Sequence, residues 1–543
     1  MTFPADSARF TEILEATLRD LVRTGERLSN GNETKAFDLL EERFRATGAE
    51  VKRETVPLFV STVPHAHLEV NGETLRAQGN AMTAPVTTGA GGSRRFRVTG
   101  KPVPWTDDIK APEEPAVAVV TGLANLGILR RAERLGFAGV LFVTGERIHR
   151  MIVSDVWGSP VPGVEDRYVS IPNASIDNAT AERLGDGPVT LEIETESRWI
   201  ASPVLTATLP GTESDRYAFL TGHIDSWGAG AIDNASGLAA STAILDTLAE
   251  TPHPYGLKVV VWSGHSHGRY AGSTAWCDRH ASELARSAFL HVNLDCLGMA
   301  GSTLYGFAPA MPSTEGLARR ALALPEGETV RFTRFNRSCD QSFLALGIPS
   351  VFSNVSLVPP DPKLAVAGLA GGYGDRWHSD DDTEEGIDRA FLLRDALAGL
   401  RAVTEALERG PEALSAAAEW RDFSSRTLKA VHDAMKKLSA TNEGMLYCRA
   451  DVWGTYIDLL IETEMRLQGL TDDEADAFLR RLIAVSYTSD DAGRYDPAGI
   501  DAVTPFEREV KALLGETEFS HARATALLRS LNSLERKIAR LLP

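Results

Sequence analysis

Apolar and polar positions along the chain fall into four textures. Near the start, Ile13, Leu14, Leu18, Leu21 and Val22 recur at helical spacing. A second helix is predicted around Lys35–Thr47 ahead of Gly48, and Val51–Val60 alternates as a strand does. From about Ser61 to Ser202 the pattern breaks into short β-type runs cut by Gly and Pro. HLEVNGETLRA carries an Asn-Gly hairpin signal, and PAVAVVTG followed by ILRRAERLGFAGVLFVTG reads as strand, helix, strand. Residues 203–405 return to longer elements, with strands predicted at Tyr217–Leu220, Leu257–Trp262, Ala288–Leu294 and Pro349–Phe352 between helical stretches. One helix begins near Asn234 or Ser236, both good capping residues, and carries an apolar face through Leu238, Leu245 and Leu248. After Gly410 come the helical patterns AAEWRDFSSRTLKAVHDAMKKL, VWGTYIDLLIETEMRLQ, DDEADAFLRRLIAV and ATALLRSLNSLERKIARLL, interrupted by a loop, YTSDDAGRYDPAGID.

This pattern predicts an α/β class: a mixed sheet flanked by helices, an inserted β-rich domain and a C-terminal α-helical domain. The expected boundaries are 1–60 with 203–405 for the first, 61–202 for the insert and 406–543 for the helical part. A chain of 543 residues is too long for one ordinary core, so several domains are expected on length as well. Composition changes the picture in three ways. No apolar run approaches the ~20 residues of a membrane span, and MTFPADSARFTEIL lacks a secretory signal, so a cytoplasmic protein without a membrane partner is expected. A formal net charge of −18 opposes nucleic acid as a partner. Cys277, Cys296, Cys339 and Cys448 show no CxxC or regular spacing, which speaks against a disulfide framework or a thiolate zinc site.

The candidate chemistry sits where the β-runs end. His223, Asp225 and Asp233 follow the first run of the stretch Leu220–Ser273, His265 and His267 follow the second, and Asp295 closes the third. Ligands of open α/β sheets gather beyond the carboxyl ends of parallel strands, so delivery of His, Asp and His to that edge suggests a built site. Imidazole and carboxylate suit zinc or a similar ion, and one bridging carboxylate can serve two ions. His223, Asp233, Asp295, a histidine of Gly264–Gly268, and His378 supply such a set.

The order HID, IDNASG, a turn ending in GS, VNLDCLG, CDQSFLALGIPSV and WHSDDDTEEGID resembles the co-catalytic zinc aminopeptidases of clan MH, which also include glutamate carboxypeptidase and the transferrin receptor. The resemblance covers roughly residues 8–405. It implies a peptidase-like α/β domain interrupted by a protease-associated insert. By position it implies that His223, Asp233 and Asp295 hold a first metal, that Asp233 bridges to a second held partly by His378, and that Asp225 orients His223. The cofactor it implies is one or two divalent transition-metal ions, zinc first.

One departure stands out. Where the family has two glutamates, a general base and a ligand, counting back from Gly272-Ser273 places Ser266 and His267, within His-Ser-His. His267 can replace the ligand, and Ser266 cannot replace the base. His265 is then the nearest base candidate, or the ligand itself if the turn is shifted, and Asp380–Asp382, Glu384 and Glu385 remain further bases unless they form a solvated helix start. Arg269 and Tyr270 suit a substrate carboxylate and a developing oxyanion, while Asp340 and Gln341 stand where the family has an Asp-His pair near its substrate pocket. His65, His67, His149 and His291 have no comparable setting.

The leading expectation is a metal-dependent hydrolase of a small peptide or amide, aminopeptidase-like, with an altered general base. The alternatives are a lyase or specialised amidase acting on a small acidic metabolite, and a catalytically inactive binding protein. The insert and the helical tail are expected to roof the cleft, and the tail offers a surface for homo-oligomers. No dinucleotide-binding glycine fingerprint is present.

Overall fold

Three of the expected strands lie side by side and parallel, in the order Ala288–Asn293, Tyr217–His223, Gly256–Trp262. The computed structural model that shows this describes residues 7–301, 307–324, 326, 330–335, 340–353, 374–448, 450–488 and 504–542. All three strands are buried along their length except at the half-buried Lys258, as apolar runs in a doubly covered parallel sheet must be. Ser350–Val351 extends the sheet beside Ala288–Asn293.

Two long strands carry this sheet into the rest of the molecule. Glu50–Val70 and Val189–Leu209 pair antiparallel over most of their length, with a register shift between Thr62 and His65. Val189–Leu209 joins Gly256–Trp262 through one half and Gly91–Pro104 through the other. The composition breaks at Ser61 and Ser202 therefore fall inside strands rather than in linkers. Beyond them, Ala116–Thr121, Gly139–Val143 and Asn173–Ile176 continue in parallel, the first two connected by the helix Leu126–Leu135. This region has packing of its own, with Leu68, Val117, Leu141 and Leu191 in one cluster and Ala118, Leu129, Val140 and Phe142 in another. The Asn-Gly signal forms its hairpin: Val70 pairs with Glu73, and Asn71 and Gly72 both take positive φ, 52° and 82°.

The helix Ser236–Ala249 runs through the core, contacting the helices Ser7–Val22 and Arg389–Arg409. It is apolar nearly all round because it is covered on nearly all sides. Its start differs from a simple capped end: a wider turn, Ala231–Ala235, precedes it. Asn234 still accepts the N–H of Gly237 at 3.1 Å, and its amide donates to the Leu294 carbonyl at 3.0 Å. A Cβ at Gly237 would lie 2.1 Å from that same carbonyl, so glycine is what lets the helix start touch the strand end that carries Asp295.

The C-terminal helices are Ala416–Leu438, Ala450–Leu467, Asp472–Tyr487 and His521–Ile538, as the pattern predicts, together with Pro505–Gly515, which it missed. Thr504 and Glu507 form a capping box around Pro505 there, a signal that was readable. Most of the intervening YTSDDAGRYDPAGID loop lies outside the described residues. Trp420, Phe423, Trp453, Phe478 and Phe506 build a separate core. Arg216 pairs with Asp476 at 2.8 Å, and Arg480 donates to the Ala285 carbonyl at 2.7 Å and to that of Ala288. These contacts lie at the amino ends of the parallel strands. The helix Asp472–Tyr487 also packs Leu479 and Ile483 against Phe335 and Leu344. No helix among the described residues is long and apolar enough to cross a membrane.

Candidate metal centre

The parallel register sets Trp262 opposite His223 and Asn293 opposite Thr221, so the three strands end nearly flush. The segments that leave these ends converge on one another. His223 Nε2 lies 3.0 Å from Asp233 Oδ1 and 3.6 Å from Asp295 Oδ1, and the other oxygen of Asp233 lies 2.8 Å from His378 Nε2. One carboxylate thus spans two imidazoles. His265 stacks on His223 with ring centroids 3.7 Å apart and planes 12° from parallel. The donor atoms form two close sets sharing Asp295: His223, His265 and Asp295, and Asp233, Asp295 and Cys296.

Each imidazole is fixed through Nδ1. His223 donates to the Asp225 carbonyl at 2.9 Å, His378 donates to the Arg150 carbonyl at 2.8 Å, and His265 is tied to Asp340 Oδ2 at 2.9 Å. Such bonds set the tautomer and leave Nε2 as the free lone pair, the arrangement that metal-ligating histidines use. The fit to a cation is testable on the polar atoms left over. His223 Nε2 and Asp233 Oδ1 are both buried, and neither has a hydrogen bond. Burial would lower the His223 imidazole, yet Asp295 and Asp233 raise it well above its usual value. Burial would likewise raise Asp233, yet His223 and His378 hold it well below the carboxylate range. The site calls for positive charge, and its imidazole and carboxylate donors suit a borderline divalent ion.

Not every residue expected here arrives. His267 is completely buried and turned inward: its Nδ1 lies 3.0 Å from Asp225 Oδ2 and its Nε2 lies 2.6 Å from Ser29 Oγ. It is absent from both donor sets. The reason is the turn. Arg269 and Tyr270 adopt left-handed φ of 51° and 67° where the count assumes a glycine, and the chain swings the ring of His265 over His223 instead. The Asp225 carboxylate faces this turn, accepting the N–H groups of His265 at 3.2 Å and Ser266 at 2.6 Å. Asp225 therefore orients His223 by its backbone carbonyl and the turn by its side chain. Burial would raise Asp225, and His267, His223 and His265 together hold it below the usual range. Ser266 is buried, its hydroxyl directed at the Asp225 carbonyl.

Asp340 is buried, and His265 holds it below the carboxylate range against the effect of burial. Its second oxygen, like both amide atoms of Gln341, is buried without a hydrogen-bond partner. Tyr270 packs edge-on against His265 and lies tilted by 38° against Trp157 at 4.2 Å, and Arg269 lies over both the Tyr270 and Trp157 rings. His149 and His291 are core residues, bonded to the Trp377 carbonyl and to Thr221 and Ser350, and burial lowers them to about 4 and about 3.

Arg27 escapes the sequence, and so does the supporting role of Asp382, which stands there only as a possible base. Arg27 is buried and donates to the carbonyls of Ile224 at 2.6 Å and Ala229 at 2.8 Å, stapling the loop between His223 and Asp233; burial lowers it to about 10. Asp382 belongs to the acidic run; Glu384 and Glu385 there start a short helix, Glu384–Gly386, with Glu385 solvated, whereas Asp382 is not at a solvated helix start. Asp380 pairs with Arg76 and Arg150, Asp381 with Arg147, and Asp382 is buried, pushed up by burial to about 8. Asp382 accepts the N–H groups of Ile232 at 2.8 Å and Asp233 at 3.1 Å, so it holds the turn that presents Asp233 and is not free to act as a base. Asp382→Ala is expected to weaken divalent-metal binding by about 10–100-fold in a chelator-competition titration, and unchanged affinity would refute that support.

A cleft of about 490 Å³ opens beside His378, lined by Trp227, Arg150, Arg198, Arg76, Gln78 and Asp380 among others. Trp227 meets the His378 ring edge-on at 4.4 Å, and Arg150 supplies the carbonyl that fixes it. Residues of the stretch 61–202, among them Arg76, Gln78, Arg150 and Arg198, therefore form one wall of this cleft.

Residues 205–400 match the model of Peptidase family M28, in line with the resemblance carried by the motifs. A probable glutamate carboxypeptidase of Arabidopsis thaliana is 30% identical over 152 residues, 26% of this chain and 21% of that protein. Its counterpart from Zea mays is 25% identical over 239 residues, 37% and 32% of the two chains. The chain thus spans between about a fifth and a third of the length of these curated relatives. Among solved structures, the zinc aminopeptidase BSAP from Bacillus subtilis superposes with a TM-score of 0.55 at 17% identity, covering 74% of this chain and 97% of that one. An aminopeptidase from Aneurinibacillus sp. strain AM-1 gives 0.51 at 16%, covering 73% and 94%. The mixed sheet flanked by helices is the fold of these aminopeptidases.

Proposed function

We propose that the protein is a metal-dependent hydrolase that cleaves amide or peptide bonds of small substrates, with His265 and Asp340 in place of the family's glutamate base. The observation that carries this reading is Asp233, whose two oxygens face His223 and His378 while Asp295 stands beside them. His223, Asp233 and Asp295 would hold one divalent ion, zinc first by analogy with the aminopeptidases of this fold. His378 and the second oxygen of Asp233 offer a poorer second position, because His267 does not supply the further ligand. An ion bound there polarises a carbonyl and makes a water more acidic.

His265 is read as base rather than ligand for a geometric reason. Imidazole lone pairs lie in the ring plane, and the two rings are nearly parallel at 3.7 Å. The lone pairs of the two rings therefore lie in separate, nearly parallel planes, and an ion held by His223, Asp233 and Asp295 would leave His265 available for proton transfer. With Nδ1 tied to Asp340, His265 Nε2 accepts a proton from the attacking water as its oxygen bonds to the carbonyl carbon. Asp340 steadies the imidazolium, which returns the proton to the leaving nitrogen as the C–N bond breaks. Tyr270, edge-on to His265, is placed to donate to the developing oxyanion, and Arg269 and Gln341 to bind a substrate carboxylate and amide. The cleft beside His378 is of a size that suits small ligands.

The separate packing of residues 61–202 supports reading them as a protease-associated-like insert. Self-association through the C-terminal helices would use the exposed Met445, Leu446, Ile461 and Met465. The test of function is metal content by elemental analysis, followed by a panel of aminoacyl, acyl-amino-acid and dipeptide amides assayed with the zinc-loaded protein. One tightly held equivalent and turnover of at least one amide are expected. No metal after reconstitution would leave a binding protein, and metal without amide turnover would favour the lyase reading.

A further inference from the structure

We propose that Cys296 is a thiolate donor to the ion held by Asp233 and Asp295, making the centre selective for soft and borderline metals over magnesium, manganese or calcium. This rests on the reading of the site as a metal centre and adds a donor type to it.

Cys296 comes directly after Asp295, at the carboxyl edge of the sheet. It is buried, 2% exposed, and its backbone adopts a left-handed φ of 54°. Its Sγ, one oxygen of Asp233 and one of Asp295 all lie within 4.8 Å of one another, the spacing at which side chains can share one ion. Cys296 packs at the edge of the main apolar core, and its thiol donates to Asp295 Oδ1 at 3.4 Å, which places the sulfur beside the carboxylates. An independent observation points to a ligand at the same place: Asp233 Oδ1 is buried without a hydrogen bond, as is His223 Nε2 3.0 Å away.

Such crowding disfavours a bare thiolate, since Asp233 and Asp295 are already negative. A divalent cation reverses that. On binding, the S–H proton leaves to solvent and the sulfur–metal bond forms, with no change of oxidation state. Hard ions gain little from thiolate, whereas zinc, cobalt and cadmium gain a preferred ligand. The other described cysteines have no such setting: Cys277 is bonded to the Ser342 carbonyl and Cys448 to that of Met435.

The test uses cobalt(II) and cadmium(II) titrated separately into the metal-free full-length protein, followed by ultraviolet absorption and elemental analysis. A thiolate-to-metal charge-transfer band that saturates with the first equivalent is expected. It should vanish in Cys296→Ser and persist in Cys277→Ser, while excess magnesium fails to displace cadmium from the unsubstituted protein. Metal bound without the band, or a band that survives Cys296→Ser, would overturn the proposal and leave the metal centre standing. Failure of either metal to bind would overturn both. Should Cys296→Ser not fold, the unsubstituted protein still decides, because absence of the band with one equivalent bound is sufficient.

Discussion

Asp233→Asn is expected to abolish metal-dependent activity and to uncouple thermal stability from metal. In the unsubstituted protein, an ion that binds only the folded state stabilises it by about 2.7 kcal/mol at 100 times its Kd, so chelation should lower Tm measurably. Asp233 contributes to both metal positions through its two oxygens, and asparagine removes the charge as well as one acceptor. Metal affinity should fall by more than the ~10–100-fold seen when a residue that only supports a ligand is lost. The metal-free variant should also melt lower than the metal-free parent at neutral pH, because His223 and His378 favour the ionised Asp233 in the folded protein and asparagine forfeits that. Relief of repulsion with the buried Asp225, Asp295, Asp340 and Asp382 offsets part of the loss. Calorimetry with and without chelator reads both effects. A Tm that still drops on chelation of Asp233→Asn would show that the ion sits elsewhere.

Much of this site was legible because β-runs ending in His, Asp and His imply a common edge once the strands are parallel, and His223, Asp233, Asp295 and His378 do meet there. The pattern could not show the path of the turn after Trp262. Counting back from Gly272-Ser273 fixes the residue number but not the turn's path, and here Arg269 and Tyr270 take left-handed φ while the ring of His265, not His267, lies over His223. Arg27 and Asp382 were hidden for another reason. Their roles are contacts across long sequence separations, from Arg27 to Ile224 and from Asp382 to Asp233, and no local periodicity reports them. The domain limits drawn at Ser61 and Ser202 reflect a change in the packing partners of the strands, while the backbone ladder runs on through both positions. The helix Pro505–Gly515 is the converse case, because its capping box was in plain view and only its short apolar face was weak.

His265→Ala and His267→Ala should fail in opposite ways. If His265 is the base, its loss should lower kcat by about 10²–10⁴-fold while metal still binds with nearly parental affinity, since His223, Asp233 and Asp295 remain. Asp340→Asn should reproduce much of that loss, because asparagine cannot stabilise the imidazolium that forms when Nε2 takes the proton. His267 acts on structure instead. Its removal leaves Asp225 buried without its imidazole partner and Ser29 without its acceptor or donor, a defect of about 3–5 kcal/mol for a buried charge stripped of its counterpart. The consequence is a lower Tm even in metal-free protein, with weakened metal binding resulting from the loosened turn. Kinetics, metal titration and melting on the same three variants separate these outcomes. Loss of metal in His265→Ala would make His265 a ligand and reopen the question of the base. A normal Tm with lost metal in His267→Ala would return that histidine to the first sphere, against the direction in which its ring now points.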